Sequence, residues 1–376
     1  MEKEKTFRIV VKTLYGLEEV LLNELQEFNV IKPRTENRAV SCFVDKYLLY
    51  KLNLGLRTAI SILMPIKSFR LTNEKQLYDN IYKIEWDKYF TNSDTIMVDS
   101  VVNSKYFNHS LYISLKTKDA IVDYFRDKTG KRPDVDKADP DIRINIHIAD
   151  DKCIVSLNSS GATLNKRGYR EMSDVAPINE VLAAGMISLS GWDKKSNFID
   201  PMCGSGTILV EAAYYAMNIP PNLHRTNFCF FNWLDFDKDL YSGALFELKE
   251  QIIDFPHKII GYDNSKNAFR IAQMNTKKAN VDRNIRLICS SFDTIDKLDN
   301  YIIITNPPYG ERISDDGLED LYKKLYETLL HKSTNSKFCI ISNNDDALQE
   351  IKFEPTKTIK LLNGKIKCKY LQYDLL

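Results

Sequence analysis

The sequence predicts an α/β protein that closes in a doubly wound parallel sheet and opens with two smaller α+β units. Three observations predict it. From residue 197 onward, short apolar runs (197–200, 258–262, 285–289, 301–305 and 337–342) alternate with helical stretches, the pattern of parallel strands buried on both faces. The first run ends in Asp-Pro-Met-Cys-Gly-Ser-Gly-Thr (residues 200–207) and leads into the apolar 208–213, which reads as strand, glycine-rich turn and helix. The front of the chain lacks this rhythm and shows isolated strands around single helices.

Composition bounds the rest. With 376 residues, 44% apolar and 11% aromatic, the chain fills more than one core, which excludes disorder as its dominant state. Its 52 Lys and Arg offset 51 Asp and Glu to a net charge of +1, so any nucleic-acid site has to be a local patch. No run of about 18 apolar residues occurs, and residues 1–12 lack the apolar core of a secretory signal, which predicts a soluble, cytoplasmic protein with no membrane partner. The seven cysteines are scattered with no CxxC pair, and the five histidines (His109, His147, His224, His257, His331) are isolated. Neither structural zinc, nor a disulfide framework, nor any other metal site is expected.

In chain order, residues 6–11 form a β-branched run that predicts a strand. Apolar residues at 17, 20, 21, 22 and 25 make a helical stripe, and 37–44 predicts a second strand. Residues 1–66 thus resemble a ferredoxin-like module. Residues 67–160 hold strands at 95–102 and 144–148, a helix over 114–126, and the basic turn Lys128-Thr129-Gly130-Lys131-Arg132-Pro133. This layout resembles a THUMP domain, an RNA-binding module attached to RNA-modifying enzymes. Because no region is strongly basic, nucleic-acid binding has to come from clustering, which makes Lys128, Lys131 and Arg132, and Lys166, Arg167 and Arg170 of the cluster 165–170, candidate RNA contacts, although a charge cluster is often only a solvated face.

The chemistry concentrates in loops after the predicted strands of residues 161–376, where ligands of such sheets bind. In 200–207, Gly204 and Gly206 let backbone approach a ligand, and the free amides at the helix start favour a carboxylate or phosphate. A glycine pair alone would suit any tight turn. The full run, with Asp200, Met202 and Thr207, resembles motif I of methyltransferases that use S-adenosylmethionine (SAM), and Met202 stands where Phe is more usual. Asp263, followed by Asn264, ends the next strand and can accept both ribose hydroxyls of an adenosine; alternatively it or Ser265 caps the following helix. Phe292 and Asp293 are placed to pack on adenine and accept its amino group, with Asp296 a competing acid. Upstream, residues 176–180 fit motif X, which makes Asn179 a candidate cofactor contact, or else part of a helix that merely covers the sheet.

Asn306-Pro307-Pro308-Tyr309 follows the strand 301–305. Two prolines deny the loop two N–H donors and stiffen it, so its carbonyls point outward unpartnered. An amine conjugated to a ring is a poor nucleophile. If the Asn306 oxygen and the Pro307 carbonyl accept its two hydrogens, the nitrogen turns tetrahedral and aims its lone pair, with Tyr309 stacking the extruded base. This is the amino-methyltransferase motif IV, shared by enzymes acting on adenine N6, cytosine N4, guanine N2 and a protein glutamine amide.

Taken in order, these segments resemble the THUMP-containing guanine-N2 RNA methyltransferases, whose members modify 23S ribosomal RNA in bacteria or tRNA elsewhere. The resemblance implies a Rossmann-like SAM-dependent domain over 161–376, structured RNA as partner, and one flipped guanine as target. A tRNA, an adenine in DNA or a protein glutamine stays open as the alternative substrate, as does a non-enzymatic RNA-binding scaffold. The same division predicts that residues 161–376 alone still bind SAM.

Overall fold

The computed structural model describes residues 6–170, 178–308 and 315–375. Its front runs β1 (Phe7–Lys12), α1 (Glu18–Glu27), β2 (Ile31–Glu36), β3 (Ala39–Val44), α2 (Lys46–Gly55), β4 (Ser61–Arg70), α3 (Glu74–Tyr82), β5 (Ile96–Asn103), α4 (Ser110–Thr129), β6 (Ile142–Ala149) and β7 (Lys152–Asn158). These strands form one sheet in the order β2-β3-β1-β4-β7-β6-β5. β4 runs across residue 66 and pairs with β1 on one side and β7 on the other, so the units anticipated on either side of that residue share a sheet. Pro65, with no N–H to give a ladder, stands where the β4–β7 register shifts. α4 presents Ile113, Thr117, Ile121 and Phe125 inward at helical spacing and stops at Gly130, whose φ of 75° closes the last turn onto the Arg126 carbonyl.

The second half runs α5 (Glu180–Leu189), β8 (Asn197–Asp200), α6 (Thr207–Ala216), α7 (Lys238–Glu250), β9 (Ile259–Asp263), α8 (Lys266–Lys278), β10 (Ile285–Cys289), β11 (Leu298–Asp299), β12 (Tyr301–Thr305), α9 (Asp315–Lys332), β13 (Ser333–Thr334), β14 (Ser336–Ser342), α10 (Asp345–Gln349), β15 (Lys357–Asn363) and β16 (Ile366–Leu375). The sheet order is β10-β9-β8-β12-β14-β16-β15, with β11 and β13 forming a separate two-residue pair. Strands β10 to β14 are parallel and the last two antiparallel. This is the expected doubly wound α/β class. The order reverses between β8 and β12, the kind of switch point beyond whose carboxyl ends ligands of such sheets bind. No helix among the described residues is long and apolar enough to cross a membrane.

The halves are packed together. Phe228, Phe230, Trp233 and Leu248, from the segment between α6 and β9, belong to the core of the front sheet. Leu17, just ahead of α1, belongs to the core of the second. Gly185 of α5 makes room for it: a Cβ there would meet the Leu17 side chain at 2.5 Å.

Candidate active site

Three strand ends bring the polar groups together. β8 ends at Asp200, which is 1% exposed, and burial pushes its carboxyl up to about 7, with the negative Asp263 adding to the rise. Its Oδ1 accepts the Met202 N–H at 3.1 Å, which shapes the turn. Gly204 there has φ 52°, and apart from its chain neighbours no atom of the described residues lies within 4 Å of where a Cβ would stand, so the backbone faces open space. Gly206, at φ 79°, starts α6 and packs on Ala272 of α8, at 3.3 Å from a virtual Cβ.

β9 ends at Asp263, whose Oδ2 accepts the Gly204 N–H and Oδ1 the Ser265 N–H, both at 2.9 Å. The helix cap is Ser265, which accepts the Ala268 N–H. Asp263 therefore ties the glycine turn to the next strand, and each oxygen keeps a further lone pair for a ligand. After β12, Asn306 is half-buried and Pro307 buried. The Asn306 Oδ1 is buried with no hydrogen-bond partner among the described residues. Buried acceptors are normally paired, so an orphan at a strand end marks a place for a donor that arrives with a ligand.

Comparison with known proteins agrees with this geometry. The family model described as "RMKL-like, methyltransferase domain" matches residues 167–372. The chain belongs to the RMKL-like methyltransferase family. Ahead of that domain, the "THUMP domain" matches 72–158 and the "RlmL ferredoxin-like domain" 8–63. A Synechocystis protein named for RNA methyltransferase activity is 33% identical over 96% of this chain and 94% of its own. The ribosomal RNA large subunit methyltransferase K/L of Syntrophotalea carbinolica is 32% identical over 96% of this chain but 52% of its own, so the chain spans about half the length of that relative. A solved methyltransferase-named protein complexed with SAH superposes with a TM-score of 0.88 at 29% identity, covering 100% of this chain and 99% of that one.

The RMKL-like domain brings Asp200, Met202, Gly204, Gly206, Thr207, Asp263 and Asn306 to one edge, with Asn264 exposed beside them. Tyr309 lies outside the described residues, while Pro308 is half-buried at their limit. Asn179 caps α5, its side chain accepting the Val181 N–H at 2.9 Å. Phe292 is 5% exposed and packs in the third core beside Tyr262 and Ile295, while Asp293 takes an ion pair from Lys324 at 2.9 Å. Sequence reading missed Lys324 and Lys332, which reach from α9 to the 293–295 turn.

The basic candidates divide. Lys131, Arg132 and Lys166 are exposed; Lys128 is exposed but ion-paired with Asp87 at 2.7 Å. Two need correction as RNA contacts. Arg167 is 4% exposed: its guanidinium donates to the Leu164 and Arg57 carbonyls and lies 3.5 Å from the fully buried Glu211 of α6. Arg170 turns inward, donating to the Ile178 carbonyl and Thr207 Oγ1 at 2.8 and 3.0 Å and pairing with Glu180. Both tie the segment around residues 167–170 to α5 and α6. The one acid in the apolar stretch 208–213, Glu211, was the signal in sequence that a buried cation had to face it.

Proposed function

We propose that this protein is a cytoplasmic enzyme that transfers a methyl group from SAM to the exocyclic N2 amine of a guanine in 23S ribosomal RNA. The observation that carries it is the buried Asn306 Oδ1 beyond β12, which has no hydrogen-bond partner among the described residues. The family membership and the ribosomal RNA activity named for the K/L relatives support the substrate class.

The site fits SAM on three counts. The left-handed Gly204 backbone borders open space. The first amides of α6 have no intrahelical partner and favour a carboxylate. Asp263 keeps lone pairs for hydroxyl donors at the end of β9. When bound, SAM supplies a methyl group on a positively charged sulfur. Asp263 accepts the ribose hydroxyls and, through Gly204, keeps the turn in register. Asn306 Oδ1 and the Pro307 carbonyl accept the two hydrogens of the target amine, which holds the nitrogen tetrahedral and its lone pair aimed. The chain's own contribution is orientation and a dry, preorganised acceptor pair.

The test incubates unmodified 23S ribosomal RNA with the protein and labelled SAM and maps the product by mass spectrometry. One N2-methylguanine is expected. Label confined to tRNA, to adenine N6 in DNA or to protein would overturn the substrate.

A further inference from the structure

Away from the strand ends, a cleft of about 240 Å³ opens where three segments meet: the approach to β6, the linker at 161–168, and the loop at 224–229. It is therefore walled by both the THUMP and the RMKL-like parts of the chain.

Its charges are poorly matched. Arg225 donates through Nε to the Asn227 carbonyl at 2.9 Å, through Nη1 to that of Thr163 at 3.2 Å, and through Nη2 to those of Ser160 and Ala162 at 2.8 and 2.6 Å. All these acceptors are neutral, so the guanidinium is held rigidly but its charge is not cancelled. Burial lowers its pKa to about 10, and the nearby Arg167 and Arg143 push the same way. Arg143 makes weak contacts: its Nη1 donates to the Met97 sulfur at 3.4 Å and lies 3.7 Å from Asp99, and its Nη2 reaches the Ala138 carbonyl at 3.4 Å. The exposed Lys166 ammonium has no side-chain partner among the described residues. Asp139 is the acid on the wall, and it accepts from Asn227 at 3.0 Å. Cations gathered in a half-buried cleft with too few acids call for an anion from outside.

We propose that this cleft holds a backbone phosphate of the RNA substrate, with Lys166 and Arg143 touching its oxygens and Arg225 supplying positive field from behind. The inference rests on the RNA reading above. A phosphate fixed between the gripping and the catalytic parts would set how far along the strand the target base lies from the grip.

The experiment measures binding of a 23S ribosomal RNA transcript at several salt concentrations, alongside SAM calorimetry and melting of each variant. Lys166→Glu should weaken RNA binding about tenfold or more at low salt and lower the salt slope by about 0.7 to 0.9, the signature of one lost phosphate contact. Arg143→Gln should do the same, and Lys166→Arg should keep the wild-type slope; SAM affinity and melting should not move. Wild-type RNA affinity and slope in both charge-removing variants would overturn the proposal. So would inorganic phosphate binding at the cleft while RNA affinity ignores the substitutions, which would make it a free-phosphate site. A wild-type protein that binds SAM but no RNA would overturn the substrate reading itself, an outcome separate from any variant.

Discussion

Two seven-stranded sheets in one chain place their polar residues in opposite ways. In the second sheet five neighbouring strands run parallel, so their carboxyl ends share one edge and Asp200, Asp263 and Asn306 arrive together. In the front sheet most pairs are antiparallel, so strand ends alternate and no edge collects chemistry. The acids follow suit: burial raises Asp200, whereas hydrogen bonds from Lys128 and Tyr124 hold the exposed Asp87 of the front half below its usual range. A parallel sheet makes a site by topology; the front half can make one only on its surface and at its seams.

The sharpest way to break the comparison is to cut between the sheets. Residues 161–376 alone would expose Phe228, Phe230, Trp233 and Leu248, which are buried in the front core. At about 1.5 to 3 kcal/mol each, these four side chains represent roughly 6 to 12 kcal/mol, comparable with the stability of a whole domain. The fragment is therefore expected to aggregate or melt without cooperativity and to bind no SAM, contrary to the expectation drawn from sequence. A cooperative melt and intact SAM binding in calorimetry would show that the sheets are independent after all.

A smaller cut acts on the seam itself. Glu211→Ala leaves the buried Arg167 without its acid, and breaking a buried pair from one side costs about 3 to 5 kcal/mol. Glu211→Gln, which keeps an acceptor for the Tyr169 hydroxyl, should cost less. Urea unfolding of the full chain checks both; a loss below about 1 kcal/mol for Glu211→Ala would mean that the arginine finds water or another acid.

The same contrast explains what could be read from sequence. The strands at 197–200, 258–262, 301–305 and 337–342 were legible because burial on both faces makes them nearly continuous apolar runs, and the edge strand at 285–289 because its residues are still mostly apolar. The turn at 200–207 and Asn306 were legible because left-handed backbone and an outward acceptor demand particular residue types. The joining role of β4, with Pro65 at its centre and a half-exposed outer end, was not, because it is set by partners on two distant segments. The fate of Arg167 was invisible too: adjacent in sequence to the exposed Lys166, it is buried against Glu211 and the Leu164 and Arg57 carbonyls, partners that sequence proximity does not reveal.

The buried acid at the end of β8 should show in pH. The Asp200 pKa rises from 3.8 to about 7 on folding, so the folded state holds the proton more tightly. Its stabilising contribution is complete below about pH 3.8, erodes as pH rises and is gone above about pH 7. The shift corresponds to up to about 4 kcal/mol between pH 4 and 8. Asp200→Asn, which still accepts from Met202, should flatten that part of the curve. Parallel stability profiles for the two proteins would show that Asp200 ionises without penalty.

Asn306→Ala removes the orphan acceptor and leaves the Pro307 carbonyl. Because the interaction gains strength as the nitrogen turns tetrahedral and positive, the loss should fall on transfer and spare SAM affinity. A drop of about 10²-fold, near 2.7 kcal/mol, is the scale for one lost polar stabiliser of a transition state. A single-turnover rate at saturating SAM close to wild type would reduce the Asn-Pro-Pro segment to a strand-ending turn.

The mildest test asks whether Asp263 serves the ligand or only the fold. Asp263→Ala removes the acceptor for the Gly204 and Ser265 amides and, in the proposed reading, for the ribose hydroxyls. Each hydrogen bond to a charged acceptor is worth about 1.5 to 3 kcal/mol, so each ribose hydroxyl left without its acceptor should cost SAM affinity roughly tenfold to a hundredfold. Asp263→Asn separates the two roles: its single carbonyl oxygen can still accept from one of the two amides, while its NH2 faces hydroxyls as a donor and leaves their hydrogens unaccepted. If the carboxylate serves only the turn, Asp263→Asn should bind SAM nearly as wild type while Asp263→Ala does not. If it serves the ribose, both should lose affinity by similar factors, with melting temperatures that differ little from wild type. Unchanged calorimetric affinity in both folded variants would remove Asp263 from the cofactor site and leave the glycine turn to define it.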